Sequence, residues 1–161
     1  SLRNKLFCPP SKICGIAWKS QKKDIGSAKS INLSDLIPIL SIPNITFVNL
    51  QYGETQNEIH QLLNDHGIEI KSLEEIDNFN NIDGLSSLIA ACDFIVTTSN
   101  VTSHLAGALH KDTYLLIPNA RGKIWYWGES RQDCLWYSSI NIFRNSKYES
   151  KNYRITQNNR S

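Results

Sequence analysis

The stretch that decides the fold is residues 97–109, Thr-Thr-Ser-Asn-Val-Thr-Ser-His-Leu-Ala-Gly-Ala-Leu. An apolar run, Phe94–Val96, precedes it, and a second run, Tyr114–Ile117, follows it. That order predicts a strand, a hydroxyl-rich turn, a helix of small residues and another strand. Hydroxyl and amide side chains cap helix N-termini, where free backbone N–H groups and the positive end of the helix dipole attract anions. The stretch therefore indicates either an ordinary capped helix or a phosphate-binding corner of an α/β fold.

The rest of the chain alternates between apolar runs and helical patterns. Further strands are predicted at 13–18, 45–50, 68–70 and 140–143, and further helices at 33–40, 54–66 and 85–91. Strands that alternate with helices favour a parallel sheet covered on both faces. We therefore expect a Rossmann-like, three-layer α/β/α domain over residues 12–145, with a linker at 1–11 and a polar tail at 146–161.

The composition is that of an ordinary globular domain. The 161 residues carry a net charge of +2 and are 40% hydrophobic, a balance that calls for neither a nucleic acid nor a membrane partner. No apolar run approaches transmembrane length. The four cysteines lack the spacing of a metal site, so we expect no metal and a reducing, cytoplasmic setting. Because the chain starts at Ser1 and contains no methionine, we expect it to be a piece of a longer protein.

Polar loops follow five of the six predicted strands. In open parallel sheets, ligands bind beyond the carboxyl ends of the strands, and this rule brings five loops together along one edge. These loops are residues 19–30, 51–54, 77–82, 99–103 and 119–127. No Gly-x-Gly-x-x-Gly or Gly-Lys-Ser/Thr motif occurs, which argues against a dinucleotide dehydrogenase and a P-loop enzyme. The pattern indicates a different kind of nucleotide site.

Four ordered segments carry a family resemblance. They are Gly15–Ser20, then Ser30–Leu33 leading into Leu36–Leu40, then Asp93–Val96 with Ser99–Leu109, and last Trp125–Trp127 with Trp136–Ser139 and Phe143–Arg144. In this order they make the chain resemble the C-terminal, nucleotide-sugar-binding half of a GT-B-type glycosyltransferase. The likeness is to bacterial-type, heptosyltransferase-like domains linked to tetratricopeptide repeats. The chain departs from that pattern at Ser99-Asn100-Val101, where heptosyltransferase-like sequences often have Asp-Thr-Ser.

The resemblance implies roles for individual residues. The phosphates would contact Lys19, Ser20, Ser99, Asn100, Thr102, Ser103 and His104, with Lys29 as a weaker second cation. The ribose or base would contact Gln51, Glu54, Phe79 and Asn80, although Glu54 also suits the first turn of a helix and Phe79 an ordinary surface loop. The sugar or a partner domain would contact Arg121, Trp125 and Trp127, whereas Trp136 and Tyr137 are expected in the core. His104 is a weak catalytic candidate, and the catalytic base cannot be assigned.

The resemblance also implies an activity. The chain would hold a UDP-, ADP- or GDP-linked sugar as the donor-binding domain of a hexosyl- or heptosyltransferase that needs no metal and no other cofactor. The acceptor site would lie in a missing N-terminal half, with tetratricopeptide repeats as a further partner, so the chain alone is expected to be inactive. The alternative is a non-catalytic nucleotide-binding or protein-docking module attached to repeat segments.

Overall fold

The computed structural model describes residues 1–6, 11–20, 29–118, 125–128 and 131–144. These residues form a six-stranded sheet in which all neighbouring strands are parallel. The strands are β1 (Lys12–Ala17), β2 (Ile45–Asn49), β3 (Ile70–Lys71), β4 (Phe94–Thr97), β5 (Thr113–Ile117) and β6 (Ile140–Arg144). Their order is β3-β2-β1-β4-β5-β6, so the strand order reverses between β1 and β4. The predicted parallel sheet is confirmed.

Helices cover both faces of the sheet. They are α1 (Leu2–Leu6), α2 (Ile37–Leu40), α3 (Gln56–His66), α4 (Ile82–Ala91) and α5 (Val101–Ala108), and a 3-10 turn at Leu33–Leu36 leads into α2. One buried cluster joins the sheet to α2 and α3, and a second joins it to α1, α4 and α5. The predicted α/β/α layering is therefore confirmed. No helix in the described part of the chain has the length and apolar character that crossing a bilayer requires.

Two helices begin away from their predicted positions. α4 begins at Ile82 and not at Leu85, because the Asn81 side chain accepts a hydrogen bond from the Gly84 amide at 2.7 Å. α3 begins at Gln56, with Thr55 at the N-cap position, so Glu54 lies outside the helix. Apolar periodicity alone does not reveal these starts, because the residues of a first turn are polar.

The N-terminal segment corrects the linker prediction for residues 1–11. Residues 2–6 form α1, whose Leu6 is buried in the core. Arg3 donates to the carbonyl oxygen of Ala91 at 2.9 Å and forms an ion pair with Asp93 at 2.8 Å. The other carboxylate oxygen of Asp93 accepts the Ile13 amide, so Asp93 links α1 to the start of β1. Residues 7–10 and the predicted tail at 146–161 lie outside the described residues.

A third buried cluster lies on β5 and β6. It contains Leu115, Trp127, Cys134, Ile140 and Ile142. The prediction that Trp136 is a core residue is wrong, because its side chain is 61% exposed. The neighbouring Tyr137 is half-buried and packs against α5 at Gly107.

Gly107 permits this close packing, and its substitution by alanine tests the interface. A methyl carbon on Gly107 would lie 2.6 Å from Cδ1 and 2.8 Å from Cδ2 of the Tyr137 ring. The higher helix propensity of alanine contributes about 1 kcal/mol, whereas overpacking a buried contact costs about 1–3 kcal/mol. We therefore expect Gly107→Ala to lower the free energy of unfolding in urea denaturation. In a Tyr137→Ala background the same change should become stabilising, and a stabilising effect in the wild type would contradict this packing.

Candidate functional site

The candidate site lies at the carboxyl edge of the sheet, where the strand order reverses between β1 and β4. The loops that follow these two strands are joined there. The Thr98 amide donates to the carbonyl oxygen of Ala17 at 3.2 Å, and the Asn100 side chain donates to the carbonyl oxygen of Lys19 at 3.2 Å. Open α/β sheets bind their ligands at such a reversal point. The fold therefore places residues 97–103 where a ligand is expected.

Asn100 and Ser103 form the start of α5. Asn100 is the N-cap residue, and its Oδ1 accepts from the Ser103 amide at 3.3 Å and from Thr97 Oγ1 at 3.1 Å. Ser103 Oγ in turn donates to the Asn100 carbonyl oxygen at 2.6 Å. Both predicted phosphate ligands thus use their side chains within the protein. The amides of Val101 and Thr102 remain among the first-turn N–H groups that have no acceptor within a helix.

Two buried hydroxyls flank the helix start. Thr98 is 1% exposed and Thr102 is fully buried, and neither Oγ1 has a hydrogen-bond partner among the described residues. A buried hydroxyl without a partner costs free energy, so such groups commonly face a ligand or an ordered water. Thr102 was predicted from the sequence, whereas Thr98 was missed because it lies immediately after β4 and reads as the end of the strand.

The two lysines that flank the loop after β1 have different environments. Lys19 Nζ forms an ion pair with Glu58 of α3 at 2.6 Å, so its ammonium group is already paired. Lys29 is 8% exposed, and its positive charge contributes to the lowered pKa of His104 on α5. Lys29 is thus the lysine whose positive charge affects the first turn of α5. From the sequence, Lys29 was predicted only as a weaker second cation beside Lys19. Ser20, the other predicted ligand in this loop, donates its amide to Ser30 Oγ at 3.0 Å.

His104 lies in an aromatic cluster on the first turn of α5. Its ring stacks on Trp127 with centroids 5.1 Å apart, and it also contacts Tyr126 and Tyr137. Burial, and next the positive charge of Lys29, lower the pKa of His104 below its usual value. The imidazole is therefore neutral at pH 7 and suited to hydrogen bonding more than to proton donation.

Two of the residues predicted to bind the ribose or base, Gln51 and Glu54, lie in the segment between β2 and α3. Gln51 is 2% exposed, and its Oε1 accepts the amides of Trp18 and Lys19 at 2.9 and 2.8 Å, while its Nε2 donates to the Tyr52 carbonyl oxygen. This amide supports the loop after β1 through its oxygen and one Nε2 proton, so the role of Gln51 toward a ribose stays a prediction that only the second Nε2 proton could serve. Glu54 is exposed in the turn before α3.

Phe79 and Asn80 belong to an ordered turn at the same edge of the sheet. The Asp77 carboxylate accepts from the amides of both residues and from the Asn80 side chain, and these hydrogen bonds, that of the Asn80 side chain foremost, lower its pKa. Asn78 donates to the carbonyl oxygen of Asn49 at 3.2 Å, which attaches the turn to β2. Phe79 is 61% exposed, with its ring centroid 6.0 Å from that of Tyr52. The turn presents an aromatic face to solvent.

The aromatic loop after β5 is only partly described. Arg121 and the side chain of Trp125 lie outside the described residues. Trp127 is 2% exposed and donates its indole N–H to Ser99 Oγ at 2.9 Å. This burial corrects the prediction that Trp127 contacts the sugar or a partner domain, because its ring is covered by the chain's own residues. Aromatic content alone does not distinguish a buried indole from an exposed one.

The described residues also enclose a polar groove away from α5. It has a volume of about 300 Å³ and lies between the 3-10 turn at Leu33–Leu36 and α3, beside the Lys19–Glu58 ion pair. None of its lining residues belongs to the β4–α5 segment. Among the described residues, no group of three or more His, Cys, Asp or Glu side chains could hold a metal ion.

Comparisons with known proteins identify the fold. No protein-family model matches the chain. The curated Protein FlbA of Caulobacter vibrioides is 32% identical over 140 residues, which cover 86% of this chain and 23% of that protein. The chain therefore spans about a quarter of the length of this curated relative.

Two solved structures share the architecture. The E. coli heptosyltransferase WaaC, solved with ADP, matches with a TM-score of 0.57 and 14% identity over 89% of this chain and 41% of that chain. E. coli ADP-heptose heptosyltransferase II matches with a TM-score of 0.57 and 19% identity over 91% and 42%. The fold of this chain is therefore that of roughly two fifths of a heptosyltransferase, a GT-B glycosyltransferase.

The amide of Asn100 can be tested by its replacement with a carboxylate. Asn100→Asp keeps an acceptor for the cap but loses the bond to the Lys19 carbonyl oxygen, and it places a carboxylate against that oxygen. We expect the free energy of unfolding to fall by about 1–3 kcal/mol. The matched control is Asn81→Asp, because Asn81 caps α4 as an acceptor and is exposed. Urea denaturation should show little change for Asn81→Asp, and equal effects of the two substitutions would contradict the cross-link.

Proposed function

We propose that this chain is the donor-binding domain of a GT-B-type glycosyltransferase and that it holds a nucleoside-diphosphate sugar at the N-terminus of α5. The observation that carries the proposal is the fully buried Thr102 hydroxyl, which has no partner among the described residues at the first turn of this helix. Helix N-termini at the strand-order reversal of α/β sheets are common phosphate sites. The similar heptosyltransferase WaaC was solved with ADP and with ADP-2-deoxy-2-fluoro heptose, which favours ADP as the first probe.

The proposed diphosphate site uses groups from two loops. Phosphate oxygens accept from the amides of Val101 and Thr102 and from the Thr102 hydroxyl, with the Ser99 hydroxyl beside them. Lys29 supplies the positive charge, because it is buried and its field reaches His104. Lys19 can join it only by leaving Glu58, to which it is paired at 2.6 Å. Asn100, Ser103 and Ser20 support this geometry through their bonds within the protein.

The nucleoside is proposed to lie toward β2. The exposed ring of Phe79 offers a stacking surface for a base, since aromatic rings stack on bases regardless of sequence. Asn80 is adjacent, and exposed Glu54 is the remaining acidic candidate for a ribose hydroxyl. This arrangement does not select among UDP-, ADP- and GDP-linked donors.

The proposed reaction moves a sugar to an acceptor hydroxyl. The acceptor oxygen forms a bond to the anomeric carbon and its proton passes to a base in the remainder of the enzyme. The bond from that carbon to the diphosphate oxygen breaks, and the diphosphate leaves with the bonding electrons. Lys29 and the first-turn amides neutralise the growing charge on the leaving group, as a divalent ion does in other enzymes. His104 remains a weak catalytic candidate, because a neutral imidazole can accept a proton but is a poor donor.

The proposed enzyme is larger than this chain. The chain matches 41% of WaaC and 23% of Protein FlbA, so the acceptor site and the catalytic base are proposed to lie in a preceding half. We expect this chain alone to bind the donor without transferring it. Linkage to tetratricopeptide repeats completes the proposal on the strength of the family resemblance, and a cytoplasmic location on the strength of the cysteine pattern.

A docking module is the second candidate. The neighbouring side chains of Leu135 and Trp136 are 68% and 61% exposed, and an exposed apolar pair is a feature of protein-contact surfaces. In this alternative, the α/β domain would contact adjoining segments and bind no nucleotide. Calorimetric titration of the full chain with ADP, UDP and GDP, with and without Mg²⁺, separates the two candidates. Metal-independent binding of one nucleotide supports the donor-binding domain, and absence of binding by the folded chain supports the docking module.

Thr102→Val tests directly whether the unpartnered hydroxyl of Thr102 contacts the nucleotide. Valine keeps the branched shape and removes only the unpartnered hydroxyl, so the free energy of unfolding should stay constant or rise. The dissociation constant for the nucleotide should increase about tenfold or more, because a hydrogen bond to a charged group contributes about 1.5–3 kcal/mol. Ser139→Ala is the control, since it removes another buried, unpartnered hydroxyl at the opposite edge of the sheet. Equal nucleotide affinities of Thr102→Val and wild type would contradict the proposed site.

A further inference from the structure

Trp127 connects two residues of the proposed diphosphate site that are not adjacent in the sequence. Its indole N–H donates to Ser99 Oγ at 2.9 Å, and its ring stacks on His104 at a centroid separation of 5.1 Å and an interplanar angle of 24°. Ser99 immediately precedes the cap of α5, and His104 lies in its first turn. The buried side chain of Trp127 therefore contacts one residue just before α5 and one residue in its first turn.

The bond from Trp127 determines which way the Ser99 hydroxyl can act. An indole N–H is a donor only, so it occupies a lone pair of the Ser99 oxygen and leaves the Ser99 proton to be donated elsewhere. Ser99 is 6% exposed, and its O–H donates to no acceptor among the described residues. This hydroxyl is consequently arranged as a donor beside the first-turn amides, which is the orientation that an anion requires.

The backbone of Trp127 is itself anchored. Arg144 at the end of β6 donates from one nitrogen to the carbonyl oxygens of Trp127 at 2.7 Å and Gly128 at 2.8 Å. Burial lowers the pKa of Arg144, as expected for a guanidinium group held against backbone carbonyls. Gly128 has φ of 70°, a conformation that glycine adopts without strain and that turns the chain directly after the indole. The position of the Trp127 ring is therefore fixed by the contacts of its side chain with Ser99 and His104 and by the hydrogen bond of its backbone with Arg144.

We propose that Trp127 is a positioning residue that orients the Ser99 hydroxyl toward the anion bound at the N-terminus of α5. This proposal rests on the proposed function, since it assigns a role within the same site. Trp127 acts through Ser99 and does not contact the nucleotide. The residue thus contributes to affinity although its own ring is covered by the chain.

A double-mutant cycle with ADP as the probe tests this role. Trp127→Phe keeps an aromatic ring against His104 and removes the N–H, and Ser99→Ala removes the hydroxyl. Each single substitution should raise the dissociation constant about fivefold, the effect of one ordinary hydrogen bond. The double variant should be no weaker than the weaker single variant, because both changes remove the same interaction. A purely structural Trp127 would instead lower the melting temperature and leave the dissociation constant unchanged.

Trp18→Phe is the matched control for the loss of an indole. Trp18 is fully buried, and its N–H has no hydrogen-bond partner among the described residues. Its substitution should therefore leave ADP affinity unchanged. A comparable loss of affinity in Trp18→Phe and Trp127→Phe would overturn the proposal.

NMR of the indole N–H groups gives a readout that stability does not affect. The chain has four tryptophans, and the Trp127 signal is the one that is absent in Trp127→Phe. When Ser99 donates to the nucleotide, its oxygen becomes a stronger acceptor, so the Trp127 N–H signal should move downfield on addition of ADP. If wild type binds ADP while the signal stays in place and Trp127→Phe binds equally well, the positioning role is wrong and the proposed function stands. If wild type binds no ADP, both proposals fail for this nucleotide.

Discussion

The side-chain amide of Asn100 is the interaction on which the candidate site depends. Its oxygen accepts from Thr97 Oγ1 and the Ser103 amide, which begins α5, and its nitrogen donates to the carbonyl oxygen of Lys19, which holds the loop after β1. An amide can accept through its oxygen and donate through its nitrogen at the same time. The two strands that flank the reversal in strand order are thereby joined at their carboxyl ends, and the free amides of the first turn are held at the junction.

Two lysines lie near this junction. Lys29 is buried near His104, whose pKa is lowered by burial and by that lysine, and Lys19 is paired with Glu58. The helix dipole adds positive potential at the same point. A diphosphate bound at this point would interact favourably with that positive potential. The covered hydroxyls of Thr98 and Thr102 agree with this view.

The sequence allowed the fold and the capped start of α5 to be predicted, because both depend on local patterns. Buried strands such as Phe94–Thr97 are continuous apolar runs, and the cap of α5 is a run of hydroxyl and amide residues. The roles of single residues were harder to predict, because they depend on partners distant in the sequence. Gln51 was predicted as a ribose ligand, and its oxygen instead accepts the amides of Trp18 and Lys19, which lie more than thirty residues earlier in the chain. Trp127 and Trp136 each have a neighbouring tyrosine in the sequence, yet the first side chain is 2% exposed and the second 61%.

The central claim is that a nucleoside diphosphate binds at the N-terminus of α5. An NMR titration of the isotope-labelled chain with ADP tests it most directly, because each backbone amide reports on its own surroundings. We expect the largest chemical-shift changes at the amides of Val101, Thr102 and Ser103, and we expect these changes to saturate with increasing ADP in the absence of Mg²⁺. Shifts confined to the groove between Leu33–Leu36 and α3, or no shifts at all, would contradict it.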